Sequence, residues 1–321
     1  MTGGELLLAV CLDAGAGDPR WFPHPVRGMG MVINRYEKHI RKLSGRPSML
    51  RLGGIGLALG LPLAVFVVCR EVLAMADSIG WWVGSLASIG LAWTTLAARD
   101  LWDHARAVSE QLEQDNLPGA RRAVAMIVGR DTEDLSPEAL ARAAIETVAE
   151  STSDGVIAPL FYLAIGGAPL ALAYKAVNTL DSMIGHKDER YVDFGWASAR
   201  LDDLANWIPA RLEAGLTIVA AGVVARAGAP MKTAWRVLWR DGEKHPSPNS
   251  GLPEAAMAGA LGIQLGGTNY YGGVADHRSV IGAGGRQPTV ADMKAASRMM
   301  VVVSVLGVAM ALGILWLVEV M

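Results

Sequence analysis

Residues 155–173 read GVIAPLFYLAIGGAPLALA, a stretch without a single charge. Before it stands IETVAESTSD at 145–154, with Glu146, Glu150 and Asp154; after it comes YKAVNTLDSM at 174–183, with Lys175, Asn178 and Asp181. A bilayer crossing takes about 20 mostly apolar residues, so the length suits a span. The interior does not, because it holds Pro159, Gly166, Gly167 and Pro169. Proline removes an amide donor and clashes inside a helix, and Gly-Gly-Ala-Pro is turn chemistry. A plain crossing separates the two charged runs, whereas a turn at 166–169 puts both on one face. Non-helical backbone at membrane depth is tolerated where protein buries it. The expectation is an all-α, polytopic integral membrane protein with a re-entrant helical hairpin at about 155–180. Ionisable groups at membrane depth are expensive, so the flanking charges are functional candidates by default.

Composition agrees with the membrane class. Hydrophobic residues make up 52% of the 321 and charged residues only 19%, against about a quarter charged in a typical soluble domain. Mean hydropathy is +0.30. A net charge of -2 gives no electrostatic reason to expect nucleic acid. Cys11 and Cys69 lie in apolar stretches without CxxC or Cys/His spacing, and read as buried, inert thiols. Spans are expected at 52–69, 78–98, 212–225 and 299–320, the third weakened by Glu213 and the last broken by Glu319. The apolar start, 6–12, lacks a positively charged leading region and reads as a retained anchor.

Arg35, Lys38, Arg41, Lys42, Arg46 and Arg51 place the 35–51 segment in the cytoplasm by the positive-inside rule. Two spans later, the charged region 99–154 returns to the same side. The chain therefore reads as one membrane-embedded domain over 1–321 in the cytoplasmic membrane. A cytoplasmic helical region is expected at about 99–154, and the candidate site faces the cytoplasm, where ATP is available.

Ser136 and Pro137 look like the N-cap and first position of a helix. Such a helix carries Glu146, Glu150 and Asp154 at i, i+4 and i+8, drifting about 40° per step along one face. A Mg²⁺ ion would relieve their repulsion; a solvated face with Arg142 pairing Glu146 is the plain alternative. In the next segment Tyr174, Asn178 and Asp181 share one face, and Lys175, Thr179 and Ser182 share its neighbour. Arg200, Asp203 and Trp207 recur at helical spacing, with Asp202 and Asn206 beside them and Arg211 one turn on. Structural pairing such as Arg200 with Asp203 explains any one of these. The loop GDPRWFPHPVR at 17–27 is rigid and polar, and HPSPNSGLPE at 245–254 opens a small-residue helix expected at 255–265. Amides at the start of that helix can cradle an anion, and ordinary capping serves equally well. Gly56/Gly60 and Gly262/Gly266 match GxxxG helix packing. No Walker A loop, dinucleotide fingerprint or HExxH occurs, so any ATP site is non-standard.

The order of GDPxWFPHPVR, GRDT at 129–132, ETVAESTSDGVIAPLFY, AYKAVNTLDSMIGHK, SARLDDLANWIPARL at 198–212 and HPSPNSGLPEAAMAGALGIQLGG at 245–267 is distinctive. It resembles the adenosylcobinamide-phosphate synthase family (CbiB/CobD) of cobalamin biosynthesis, from about 13 to 271. Many relatives carry Asn where Ser151 stands here; the tail from 272 matches no motif and reads as a loop plus a final anchor.

The resemblance implies an integral membrane ligase that joins adenosylcobyric acid to aminopropanol phosphate, or aminopropanol, at the expense of ATP with Mg²⁺. Charge and helical register, set against that chemistry, make Glu146, Glu150, Asp154 and Asp181 candidate metal ligands. Lys175 and Lys187 are candidates for phosphate, Arg200 and Arg211 for substrate anions, and Asp202 or Asp203 for the base. His24, Arg27, Asn178, Asn206 and Ser250 complete the candidate binding set; homo-oligomerisation stays open. A transporter would also use a broken helix with buried charge, but two corresponding halves are missing from the sequence. A purely structural partner leaves the density of polar residues in three blocks without purpose.

Overall fold

The computed structural model describes residues 1–321 except Arg20, Phe22, Ala227 and Met321. The helices, in order, are α1 (Gly3–Ala16), α2 (Pro25–Leu43), α3 (Pro47–Ile79), α4 (Trp81–Trp93), α5 (Ala98–Glu113), α6 (Leu117–Ala125) and α7 (Pro137–Thr152). They continue as α8 (Ala158–Ile184), α9 (Trp196–Ala205), α10 (Trp207–Ala225), α11 (Gly228–Asp241) and α12 (Gly251–Leu261). Strands β1 (Leu265–Tyr271) and β2 (Val274–Ile281) precede the final helix α13 (Val290–Val320). A π turn, Ser153–Ile157, links α7 to α8.

Four runs are long and apolar enough to cross a membrane: Pro47–Ile79, Pro137–Ile184, Trp207–Ala225 and Val290–Val320. The chain is thus a helical membrane protein, but one expected span fails. Residues 78–98 divide between the end of α3 and α4, which has 13 residues. At 1.5 Å per residue α4 reaches about 20 Å, short of the roughly 30 Å hydrocarbon core. The count of two crossings between 35–51 and 99–154 therefore loses one of its members. Within 137–184 the helix breaks at Gly167, whose φ of 64° is left-handed. Glycine takes that conformation without a Cβ penalty.

The chain packs as two compact units. The first holds α1 to α4, α8, α9 and the end of α13. Its interior is built on Leu6, Ile33, Leu163, Leu180 and Phe194, all fully buried. α3 approaches the 194 loop so closely that a Cβ on Gly54 would lie 1.9 Å from the Phe194 carbonyl oxygen. Gly60 faces open space and a Cβ on Gly56 would meet only the Tyr36 hydroxyl, at 3.2 Å, so the closest approach is at Gly54.

The second unit holds α5 to α7, α10 to α12, the hairpin and the first part of α13. Leu140, Ile145, Val148, Met257, Ile263 and Met299 form its core. Ser136 caps α7 through the Ala139 amide, with Pro137 at the first helical position, as the sequence indicates. α12 starts at Gly251 and ends at Leu261, four residues before the expected boundary in each direction. Gly262 is its left-handed C-cap, so Gly262/Gly266 is a helix stop and a strand start, not a helical GxxxG.

The antiparallel hairpin is the largest departure from an all-α reading, since residues 272 onward read as loop plus anchor. Its alternation is hidden by glycines at 266, 267, 272 and 273. Cys69 is buried, but Cys11 lies on an exposed face, contrary to the reading of two buried thiols.

Candidate active site

In the first unit α8 and α9 bring polar side chains together. The Tyr174 phenol donates to Asn206 Oδ1 at 2.8 Å, and Asn206 Nδ2 donates to Asp202 Oδ2 at 3.0 Å. Tyr162 stacks on Tyr174 with ring centroids 4.9 Å apart and donates to the Ala205 carbonyl at 2.8 Å. The residue Asp202 is half-buried, yet its Oδ1 is sealed from solvent and accepts no hydrogen bond. Burial, with the Asp181 charge behind it, pushes the Asp202 carboxyl up to about 7, against the amides of Asn206 and Asn178. Removing a carboxylate from water disfavours its charged form, and a like charge adds to that. Asp203 is also raised by burial, against Arg200 and Lys187. The Arg200–Asp203 pair spans 3.5 Å at the surface, the plain pairing that the spacing allows.

The 17–27 loop lies in the same unit. The Trp93 indole donates to the Gly17 carbonyl at 3.0 Å and holds the loop. His24 stands 3.6 Å from Asp18, and the Val26 amide donates to its Nδ1 at 3.3 Å. Burial lowers the His24 pKa; Arg27 and Lys175 lower it further, against Asp18. A neutral imidazole between two cations is a setting suited to an anion. Arg20 and Phe22 of this loop lie outside the described residues. Thr179 and Ser182 donate to carbonyls one turn back, Lys175 and Asn178 respectively, so their hydroxyls are locally satisfied.

The second unit builds a different cluster. Arg130, from the GRDT motif, reaches Glu146 Oε2 and Asn269 Oδ1. The Gly266 amide donates to Glu146 Oε1 at 2.7 Å, and Arg142 lies 3.9 Å from the same oxygen. Glu146 is thus a buried, paired carboxylate that ties α7 to β1. Next to it, Asp131 accepts the amides of Gly272 at 3.0 Å and Gly273 at 2.7 Å, closing the hairpin tip. Ser250 makes no cap for α12; its hydroxyl donates to Glu150 Oε1 at 2.8 Å. Glu254 is buried 4.0 Å from His245, and Arg278 Nη1 approaches His245 Nε2 at 3.2 Å. Burial, reinforced by Glu146 and Glu150, raises the Glu254 carboxyl well above its ordinary range. Burial likewise lowers His245, against the Glu150 charge and with Arg278 adding to the shift.

Ten sequence-derived candidates belong to the first unit: Asp202, Asp203, Lys175, His24, Arg27, Asn178, Lys187, Arg200, Asn206 and Asp181. Arg211, Ser250, Glu146, Glu150 and Asp154 belong to the second. Arg211 stacks on Trp207, 4.1 Å from the ring centroid, and donates to the Trp207 carbonyl at 2.7 Å. Among the described residues no three His, Cys, Asp or Glu side chains gather as a metal cage. Sequence reading passed over His245, Glu254 and Arg278. His245 and Glu254 bracket a proline-rich loop and Arg278 lies in the hidden strand, so no helical spacing connects them.

A helical membrane protein with a carboxylate-bearing polar cluster in each of two units is the class that fold and sites define. The chain belongs to the CobD/CbiB protein family, whose pattern matches residues 6–300. The cobalamin biosynthesis protein CobD of Geobacter metallireducens is 52% identical over 284 residues, covering 88% of this chain and 86% of that protein. A Klebsiella pneumoniae protein of the same name is 45% identical over 317 residues, 97% of this chain and 98% of the relative. The cobalamin biosynthesis protein CbiB of Salmonella choleraesuis is 44% identical over 312 residues, 95% and 96% of the two chains. No solved structure matches.

Proposed function

We propose that the chain acts in cobalamin biosynthesis as an adenosylcobinamide-phosphate synthase. In this reading it joins the free carboxylate of adenosylcobyric acid to the amine of aminopropanol phosphate, or aminopropanol, with hydrolysis of ATP. Family membership supports the pathway. The observation that carries the chemistry is Asp202, a carboxyl shielded from water, oriented by Asn206 and pushed up to about 7. A base is most effective when its pKa lies near the working pH.

Phosphoryl transfer from ATP activates the carboxylate as an acyl phosphate. The amine then attacks the acyl carbon, phosphate leaves, and Asp202 takes the proton released by the new C–N bond. His24, Arg27 and Lys175 receive an anionic substrate group, with Arg200 and Lys187 as the outer cations of the α9 side. A Mg²⁺ ion, when bound with the nucleotide, would supply neutralisation of phosphate charge, and one or two protein carboxylates would suffice to hold it. The candidates are Glu150 and Asp154 in one unit and Asp181 in the other; Glu146 is committed to Arg130. The re-entrant hairpin, with its turn at Gly167, belongs to the same proposal, as do a single membrane-embedded enzyme domain and a cytoplasmic-facing site.

The test uses detergent-purified protein with adenosylcobyric acid, aminopropanol phosphate, ATP and Mg²⁺, and follows the corrinoid mass. A product heavier by the condensed amine, absent without ATP, is expected. Saturable corrinoid binding without product, also with free aminopropanol, would overturn the reading in favour of a carrier.

A further inference from the structure

The face that α11 turns away from α12 has no role in the ligase chemistry. Along it Lys232, Arg236 and Arg240 repeat at every fourth residue, and Trp235 and Trp239 run beside them. Ala234 and Val237 face the other way and are buried. The two indoles meet edge to face with centroids 5.7 Å apart, yet are 55% and 74% exposed. Exposed tryptophan pairs are costly in water and settle at the membrane interface, where an apolar ring and a polar edge are both accommodated.

Charge points the same way. Between Glu213 and Asp241 the chain has no acidic residue but carries Arg226, Lys232, Arg236 and Arg240. Arg240 pairs with Asp241, whereas Lys232 and Arg236 make no ion pair among the described residues. α11 follows directly on α10, one of the four membrane-length runs. It folds back on that helix, since a Cβ on Gly222 would lie 2.3 Å from the Met231 sulfur. Against α10 lies a shallow, open depression lined by Ile218 of α10 and by Met231, Lys232, Trp235, Arg236, Trp239 and Arg240 of α11. An open apolar surface alongside α10, flanked by indoles and by Lys232 and Arg236, which make no ion pair among the described residues, matches one ligand: an acyl chain beside an anionic headgroup.

We propose that the α10–α11 surface binds an anionic phospholipid, with Lys232 and Arg236 on its phosphate and Trp235 and Trp239 at the glycerol level. The full chain is reconstituted in phosphatidylcholine vesicles that contain either brominated phosphatidylglycerol or brominated phosphatidylcholine at equal fraction. Bromine quenches nearby indoles, and subtraction of the Trp235→Phe/Trp239→Phe variant isolates these two from the ten tryptophans of the chain. Brominated phosphatidylglycerol is expected to quench this pair at least about threefold more effectively, because each cation near an anionic surface is worth about fivefold in binding. Lys232→Gln/Arg236→Gln should remove the preference and leave the quenching by brominated phosphatidylcholine. Equal quenching of the wild type by both lipids would overturn headgroup recognition. Absence of quenching would overturn lipid contact altogether and point to an acidic protein segment on this face.

Discussion

Asn206 is held in one orientation by Tyr174. The phenol donates to its Oδ1, so its Nδ2 must face Asp202. Losing one buried hydrogen bond costs about 1 kcal/mol, and here the loss also lets the amide flip. Tyr174→Phe should therefore lower kcat about tenfold with little change in KM, since the hydrogen bond acts through the base and not on bound substrate. Steady-state kinetics of the purified variant measure both constants; a change confined to KM would place Tyr174 at the substrate.

Asp202 sets a pH dependence with a definite sign. Its folded value of about 7 lies above the ordinary aspartate value of about 3.9. The folded chain therefore binds this proton more tightly than the unfolded chain. Its contribution to stability is complete below about pH 4 and is lost as pH rises through 7. Activity runs the other way, because the base must be ionised, and kcat should rise through about pH 7. Asp202→Asn should abolish turnover and flatten this part of the stability profile. Thermal unfolding in detergent at a series of pH values, wild type against variant, reads the second effect independently of catalysis.

Arg130 and Glu146 are both buried, with side chains 7% and 9% exposed. Removing one partner of such a pair leaves an uncompensated charge and costs about 3–5 kcal/mol. Arg130→Ala should therefore destabilise the second unit by that amount, and Arg130→Ala/Glu146→Gln should recover much of the loss. Unfolding midpoints in detergent for the two variants decide it.

Gly54 and Gly60 offer a matched pair on α3. A methyl group at 54 meets the Phe194 carbonyl, so Gly54→Ala should cost about 3 kcal/mol or more, the upper end of overpacking penalties. At 60 the methyl meets nothing, and Gly60→Ala should be neutral or stabilising by up to about 1 kcal/mol from helix propensity. Yield and melting temperature of the two variants check the contrast.

The membrane class was legible because long apolar runs and proline-glycine breaks are local properties. So were the α7 cap and the break near Gly167. α4 was misjudged as part of a span because hydropathy does not register where α3 ends at Ile79. The hairpin escaped because its strands are punctuated by glycine pairs and held by partners far away in the chain. Helical spacing groups Asn178 with Asp181 and sets Asp202 beside Asn206, but it cannot show that α8 packs against α9 to bring the two groups together. Glu146 looked like a metal ligand because the sequence cannot reveal that Arg130 and the Gly266 amide already occupy it. Glu254 was invisible for a related reason: a lone glutamate after a proline has no signature until burial is known.

The grip of Asp131 on the hairpin tip has a kinetic consequence. The carboxylate lies 141 residues from Gly272 in the chain, and Glu146 lies 120 from Gly266. Strand register is therefore fixed by two distant anchors at opposite ends of β1 as well as by the tight Gly272–Gly273 turn between the strands. A slip by one residue would break both at once, which makes alternative registers mutually unsupported. Closing so long a loop costs chain entropy before any contact repays it. The hairpin should thus be a late element in assembly of the second unit, and its amides at Gly272 and Gly273 a reporter of when the 126–136 segment has docked.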